Sequence, residues 1–207
     1  MIENLPEAGH ECAMTAPDAP AAATNTTERL FIALSLPEAV RTALLPLVEP
    51  IHGLTWTRPE QMHVTLRFLG DVRAEEAAAM ADRLAQVQVA PFVLPMEGLG
   101  TFPPNRPPRV LWLGVGAGHP RLFQLRQRID DAVLGAGIDL DVRTFHPHVT
   151  LARCTESVGP ALAHWMHAHR EFVGPSFRVE SFDLYASELR PSGAVHTLKR
   201  RFPLATG

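Results

Sequence analysis

The sequence is short of three things that would each have settled its class. It has only two cysteines, Cys12 and Cys154, in 207 residues. A small secreted scaffold carries more of them, in even sets, so both read as reduced thiols in a cytoplasmic protein. Neither has a second cysteine nearby, which excludes a cysteine-based zinc site. No apolar run approaches the roughly 18–20 residues that a membrane-crossing helix needs. Positive charge is not in excess either: 19 Lys and Arg against 22 Asp and Glu leave a net charge of −3. That is unlike a protein that coats long duplex nucleic acid, though a few placed cations can still hold a nucleic acid locally. Lysine is almost absent, with Lys199 alone among many arginines. Arginine's planar fork suits phosphate, and a GC-rich genome produces the same bias.

What remains is an ordinary globular composition, 46% apolar and 20% charged, able to bury a core. Residues 1–27 are rich in Ala, Pro, Thr and Glu and lack a signal peptide's basic start and apolar stretch. They read as a flexible N-terminal tail, followed by a single domain over 28–207. Apolar periodicity predicts strands at Arg29–Leu36, Thr55–Thr57, His63–Gly70, Phe92–Phe102, Arg109–Val115, Phe145–Arg153, Phe177–Ser187 and Val195–Leu204. Helices are predicted after Pro37, over Ala74–Val87, over Pro120–Leu134 and over Pro160–His169. Two adjacent strand pairs offer antiparallel hairpins, so the class is α+β rather than doubly wound.

One pattern occurs twice: His63-Val64-Thr65-Leu66 and His148-Val149-Thr150-Leu151, with Pro59 and Pro147 upstream. Strand residues two apart share a face. Each copy therefore presents an imidazole and a hydroxyl to one surface, their roots roughly 6.5–7 Å apart, with Val and Leu anchored behind. A lone His-x-Thr is commonplace, because half-buried strands favour β-branched residues. The repetition with matching anchors is not. Two such arms across a groove supply one neutral histidine as base and one protonated histidine as acid. The threonines supply donors for phosphate oxygens or hold water. That is the logic of a phosphodiesterase needing no metal or other cofactor.

These motifs resemble those of the 2H phosphoesterases, and more narrowly the RNA 2′,3′-cyclic phosphodiesterases, also called 2′-5′ RNA ligases. The resemblance extends to Arg29–Leu34, HVTLRFLG at His63–Gly70, Arg109–Gly114, FHPHVTLAR at Phe145–Arg153, Leu184–Ser187 and Phe202–Leu204. It implies a bilobal fold of two pseudo-symmetric antiparallel sheets with flanking helices and a central cleft. It implies hydrolysis of an RNA 2′,3′-cyclic phosphate end, or a cyclic nucleotide, to a 2′-phosphate; a monomer is the default expectation, and the hydropathy gives no membrane attachment. The reverse transfer, with a 5′-hydroxyl in place of water, would be 2′-5′ ligation. His63 and His148 are then catalytic. His148 is preferred as the activator of water and His63 as the donor to O3′, with the reverse left open by the symmetry. Thr65 and Thr150 meet the phosphate, and the family's motif arginine carries a phosphate contact to Arg153. Strict alternation, however, places Arg153 on the face away from His148. Arg67, on the His63 face, is a rim contact to RNA or a solvated cation.

Other features are weaker. Gly114, Gly116 and Gly118 have the wrong spacing for a dinucleotide loop and read as a tight turn. His164, His167 and His169 read as a solvated helix face. His146 and His148 as a metal pair would make a metal-dependent hydrolase, and a 2H fold without turnover would make an RNA-binding module. Phe31, Trp56 and Phe145 are candidates for base stacking, with core packing favoured. Trp112 and Trp165 are expected in the core.

Overall fold

A computed structural model describes residues 26–104, 106–141, 144–155, 158–190 and 193–205. The expected tail lies outside these residues except for its last two, as does Cys12, and Thr27 already opens the first strand. The chain runs β1 (Thr27–Ser35), α1 (Glu38–Leu44), β2 (Leu54–Trp56), β3 (His63–Arg73), α2 (Ala74–Leu84) and β4 (Phe92–Phe102). It continues through β5 (Val110–Val115), α3 (Pro120–Gly135), β6 (His148–Cys154), α4 (Gly159–Ala168), β7 (Val173–Val179), β8 (Ser181–Arg190) and β9 (Gly193–Pro203).

All pairings given for these strands are antiparallel, in the order β7-β4-β5-β6-β3-β1-β8-β9, with β2 on β6. The order divides into two half-sheets, β7-β4-β5-β6 and β3-β1-β8-β9. They join through β3 and β6 at one residue pair, Val64 with Val149, so both copies of the repeated motif lie on the seam. The halves exchange strands. β4 of the first half pairs with β5 and β2 with β6, whereas β8 of the second half pairs with β1 and carries β9 with it.

The helices cover the sheet face that carries Leu30, Ile32, Leu34, Val64, Leu66, Leu111, Leu113, Val149 and Leu151, all buried. Val40 and Leu44 of α1, Met80 and Leu84 of α2, Leu122, Leu125, Ile129 and Val133 of α3, and Leu162 and Trp165 of α4 complete that core. Each such side chain contributes about 1.5–3 kcal/mol by leaving water. Trp165 also satisfies its indole N–H, which donates to the Leu47 carbonyl at 3.1 Å.

The strand expected over Phe177–Ser187 is in fact two. β7 ends at Val179 and pairs with β4, and β8 starts at Ser181 and pairs with β1. The chain thus passes from one half-sheet to the other at Glu180. The start of β7 reads as a turn because it holds Gly174, Pro175 and Ser176. Pro175 is tolerated because β7 is an edge strand, where one row of N–H groups needs no partner. Of the three glycines expected in a turn, Gly116 and Gly118 form one, with φ of 56° and 71°, whereas Gly114 lies within β5 opposite His148.

Candidate active site

In an antiparallel pair, the Val64–Val149 register sets His63 beside Thr150 and Thr65 beside His148. Directly opposed residues hold their Cβ atoms about 5 Å apart. Val64 and Val149 point into the core, fully buried, so the two histidines and two threonines share the opposite, open face. The motifs meet side by side on adjoining strands.

Each motif strand then carries a bulge. Against β1, Thr65 pairs with Ala33 but Arg67 pairs with Ile32, which leaves Leu66 as an extra residue. Against β5, Thr150 pairs with Trp112 but Ala152 pairs with Leu111, which leaves Leu151 extra. An extra residue reverses the alternation beyond it. Leu66 with Arg67, and Leu151 with Ala152, are consequently buried as consecutive pairs. Arg153 returns to the His148 face, exposed, and its charge acts on both His63 and His196. The difficulty that strict alternation posed for Arg153 is removed by the bulge.

The same reversal acts in β3. Phe68, which strict alternation would place behind His63, lies 64% exposed at the position equivalent to Arg153. Arg67 is not a solvated cation. Its side chain is turned inward and salt-bridged to Asp130 through Nη2, with Nε donating to Oδ1 at 2.8 Å and Nη1 donating to the Asp141 carbonyl at 2.8 Å.

Both motif histidines are oriented alike. His63 Nδ1 lies 2.7 Å from the Gln61 carbonyl, and His148 Nδ1 lies 2.6 Å from the His146 carbonyl. A carbonyl only accepts, so each Nδ1 carries the proton and each Nε2 keeps its lone pair. Gln61 is itself tied down, its side-chain amide donating to the Ala194 carbonyl of β9 at 2.7 Å. Aromatic rings wall each imidazole. Phe31 lies 5.0 Å from His63, and Phe102 lies 5.0 Å from His148, between ring centroids. Trp112 stands 6.2 Å from His148 and 4.5 Å from His146. It is therefore a site wall and not the core residue expected. Gly100 makes room for it, since a Cβ there would fall 2.1 Å from the indole ring.

Burial pushes His63 from 6.5 down to about 4. The Gln61 carbonyl opposes this, and His196, His148 and Arg153 add to it. Burial also lowers His148, against the His146 carbonyl, with His146 adding to the lowering. The unfolded chain therefore holds more protons than the folded one between pH 6.5 and 4. Stability that His63 contributes by staying neutral is complete above that window and is lost as pH falls through it. The loss amounts to about 3 kcal/mol. Urea unfolding of wild type against His63→Gln across this window is the check. The variant should lose visibly less stability on acidification.

A cavity of about 920 Å³ runs from the seam, lined among others by Thr65, Phe68, Arg126, Phe145, His146 and His148. Phe145 is partly buried with the Arg126 guanidinium 4.6 Å over its ring. Phe31 is buried beneath His63, and Trp56 packs on Trp165 at 5.6 Å. His164 and His167 are exposed on α4, as expected of a solvated face, but His169, just past its end, is half-buried and stacks on Trp165 at 4.4 Å. His146 faces the cavity, and among the described residues no group of three or more potential metal ligands comes together around it or elsewhere. One site residue carried no motif signal. His196 of β9 stands 5.4 Å from His63, ring to ring, and only its polar ring amid a plain strand could have marked it.

Paired His-x-Thr strands at the seam of two half-sheets are the arrangement expected of a two-histidine phosphoesterase. Comparison with known proteins agrees. The LigT like Phosphoesterase family matches this chain twice, at residues 34–112 and 113–196, one match for each copy of the motif. An RNA 2′,3′-cyclic phosphodiesterase of Thermus thermophilus is 38% identical over 192 residues, covering 85% of this chain and 90% of that protein. One of Archaeoglobus fulgidus is 30% identical over 177 residues, covering 84% and 99%. The crystal structure of E. coli LigT complexed with 3′-AMP superimposes with a TM-score of 0.68 at 28% identity, covering 86% of this chain and 99% of that one. The chain belongs to the LigT-like phosphoesterase family.

Proposed function

We propose that this chain hydrolyses RNA 2′,3′-cyclic phosphate ends to 2′-phosphates, by paired-histidine acid–base catalysis and without a metal. The observation that carries this is the seam: two imidazoles with pinned Nδ1–H and free Nε2, each beside the other motif's threonine. The names of the relatives supply the substrate class. Water attacks phosphorus as one Nε2 takes its proton. The P–O3′ bond breaks, and the other ring, protonated, gives its proton to O3′. The product is a 3′-hydroxyl and a 2′-phosphate. Thr65, Thr150 and Arg153 hold the phosphoryl oxygens as charge builds. A 5′-hydroxyl attacking in place of water, with O3′ again the leaving oxygen, gives 2′-5′ ligation. The symmetry makes the rings alike in geometry, but their surroundings differ. Burial holds both rings toward the neutral form, and Arg153 and His196 add to it at His63; neutrality is the state a base requires. We therefore assign His63 to accept the proton from water and His148 to donate to O3′, the reverse of the allotment preferred from sequence. In this reading the enzyme is a cytoplasmic monomer acting on single RNA ends.

Incubation with a short RNA ending in 2′,3′-cyclic phosphate, in excess EDTA, tests this. The expected product is a 2′-phosphate that resists a 3′-specific phosphatase. A 3′-phosphate would change the leaving oxygen. Binding without turnover would make the chain an RNA-binding module. Activity that returns only with added metal would give the site to His146 and His148 as ligands.

Phe68 offers an exposed ring on the cavity wall for the terminal base. Base–aromatic stacking contributes about 1–3 kcal/mol. Phe68→Ala should therefore raise KM by about fivefold or more, with kcat and thermal stability near wild type. Steady-state kinetics beside a melting curve will show this.

A further inference from the structure

Three histidines meet at the seam, and they do not carry their protons alike. His63 and His148 turn Nδ1–H to carbonyls and leave Nε2 as an acceptor. His196 has the opposite environment. Its Nδ1 is buried with no hydrogen-bond partner. The ring packs edge-on against Phe31 at 4.9 Å and stands at 89° to His63. A proton on that Nδ1 would be a buried donor without an acceptor, which costs the full desolvation of the N–H. Placing the proton on Nε2 leaves only an idle lone pair inside. A second proton is opposed by the same unpaired Nδ1. It is also opposed by the charged or chargeable neighbours, His63 from β3 and Arg153 from β6. Phe31 from β1 offers no compensating charge, and Tyr185 from β8 stacks on the far side of Phe31.

We infer that His196 is a neutral hydrogen-bond donor to the anionic phosphoryl oxygens of the substrate, its Nε2–H presented beside Arg153, and is neither a third acid nor a third base. This rests on the phosphodiesterase reading of the site. Its chemistry has a clear use. A cation at this place would sit against Arg153 and hold His63 still further from protonation. A neutral N–H adds affinity for an anion without that repulsion.

Two measurements test it. First, His196→Phe keeps a ring packed on Phe31 but removes the donor, whereas His196→Gln places an amide N–H near the Nε2 position. The phenylalanine variant should lose about tenfold to a hundredfold in kcat/KM at every pH, the scale of a hydrogen bond to a charged group. Both limbs of the pH profile should stay in place, the melting temperature should be close to wild type, and glutamine should recover most of the loss. Full activity in His196→Phe, or a loss confined to one limb, overturns the inference. Second, long-range proton–nitrogen spectra of the imidazoles should show Nε2–H in His196 but Nδ1–H in His63 and His148. The His196 Nε2–H signal should move on titration with inorganic phosphate. An Nδ1–H tautomer, titration to imidazolium between pH 5 and 8, or no response to phosphate overturns it. Should wild type fail to open the cyclic phosphate, the phosphodiesterase reading falls by itself. The spectra with phosphate still decide whether His196 is an anion donor.

Discussion

Replacing either motif histidine with alanine is expected to lower kcat/KM by about a hundredfold to ten-thousandfold, the range of one general acid or base. Both Nε2 atoms face the shared open surface, and no other imidazole in the site has a pinned Nδ1–H and a free Nε2. His196 cannot substitute, since its ring is set the other way. The double variant should be little worse than the weaker single one, because groups that act in one transition state do not contribute additively. Direction is separable from magnitude. A cyclic substrate with sulfur in place of O3′ has a leaving group that scarcely needs a proton. It should restore much of the activity of His148→Ala and little of that of His63→Ala. Rescue of His63→Ala instead would exchange the two roles while keeping the pair.

Removal of Asp130 should be the most damaging change away from the histidines. The Arg67 and Arg126 side chains are each only 10% exposed, and both salt-bridge to that one carboxylate. Arg126 Nε donates to Asp130 Oδ1 at 3.2 Å. The guanidiniums repel one another, and burial with Arg67 nearby lowers the Arg126 pKa against the pull of Asp130. Asp130→Ala leaves two buried cations with no counter-charge among these side chains, at a cost of about 3–5 kcal/mol. Chemical denaturation will measure it. Adding Arg67→Met should recover part of the loss, since one stranded charge then disappears. Both arginines line the cavity, so KM for RNA should rise alongside.

The motif residues, the class of fold and most elements were legible because they rest on local rules. A two-residue period marks β3 and β6, and a 3.6-residue period marks α3. What was not legible depends on partners distant in the chain. The bulges at Leu66 and Leu151 exist only relative to β1 and β5, so alternation alone sent Arg153 and Phe68 to the wrong face. Arg67 looked solvated because its partner, Asp130, is on α3. β7 was hidden because its Gly-Pro-Ser opening is a turn signal unless the strand lies at an edge. The Trp112 indole could not be placed without knowing that Gly100 lies beneath it. His196 belongs to no repeat, and only the pairing of β8 and β9 brings it to His63.

The exchange of β4 and β8 between the half-sheets bears on ancestry. Each half of the chain donates strands to the other half's sheet, β4 and β8 chief among them, so neither half closes its own layer. A gene for one half alone would yield a peptide with an unsatisfied sheet edge. Two copies of that peptide, trading the same strand, would close each other and set their two His-x-Thr arms side by side across a twofold axis. Fusion of such a pair would retain the trade and free the copies to diverge, leaving phenylalanine on one side at Phe68 and arginine on the other at Arg153. On this architecture, cleavage between β4 and β5 should give fragments that regain a site only when mixed.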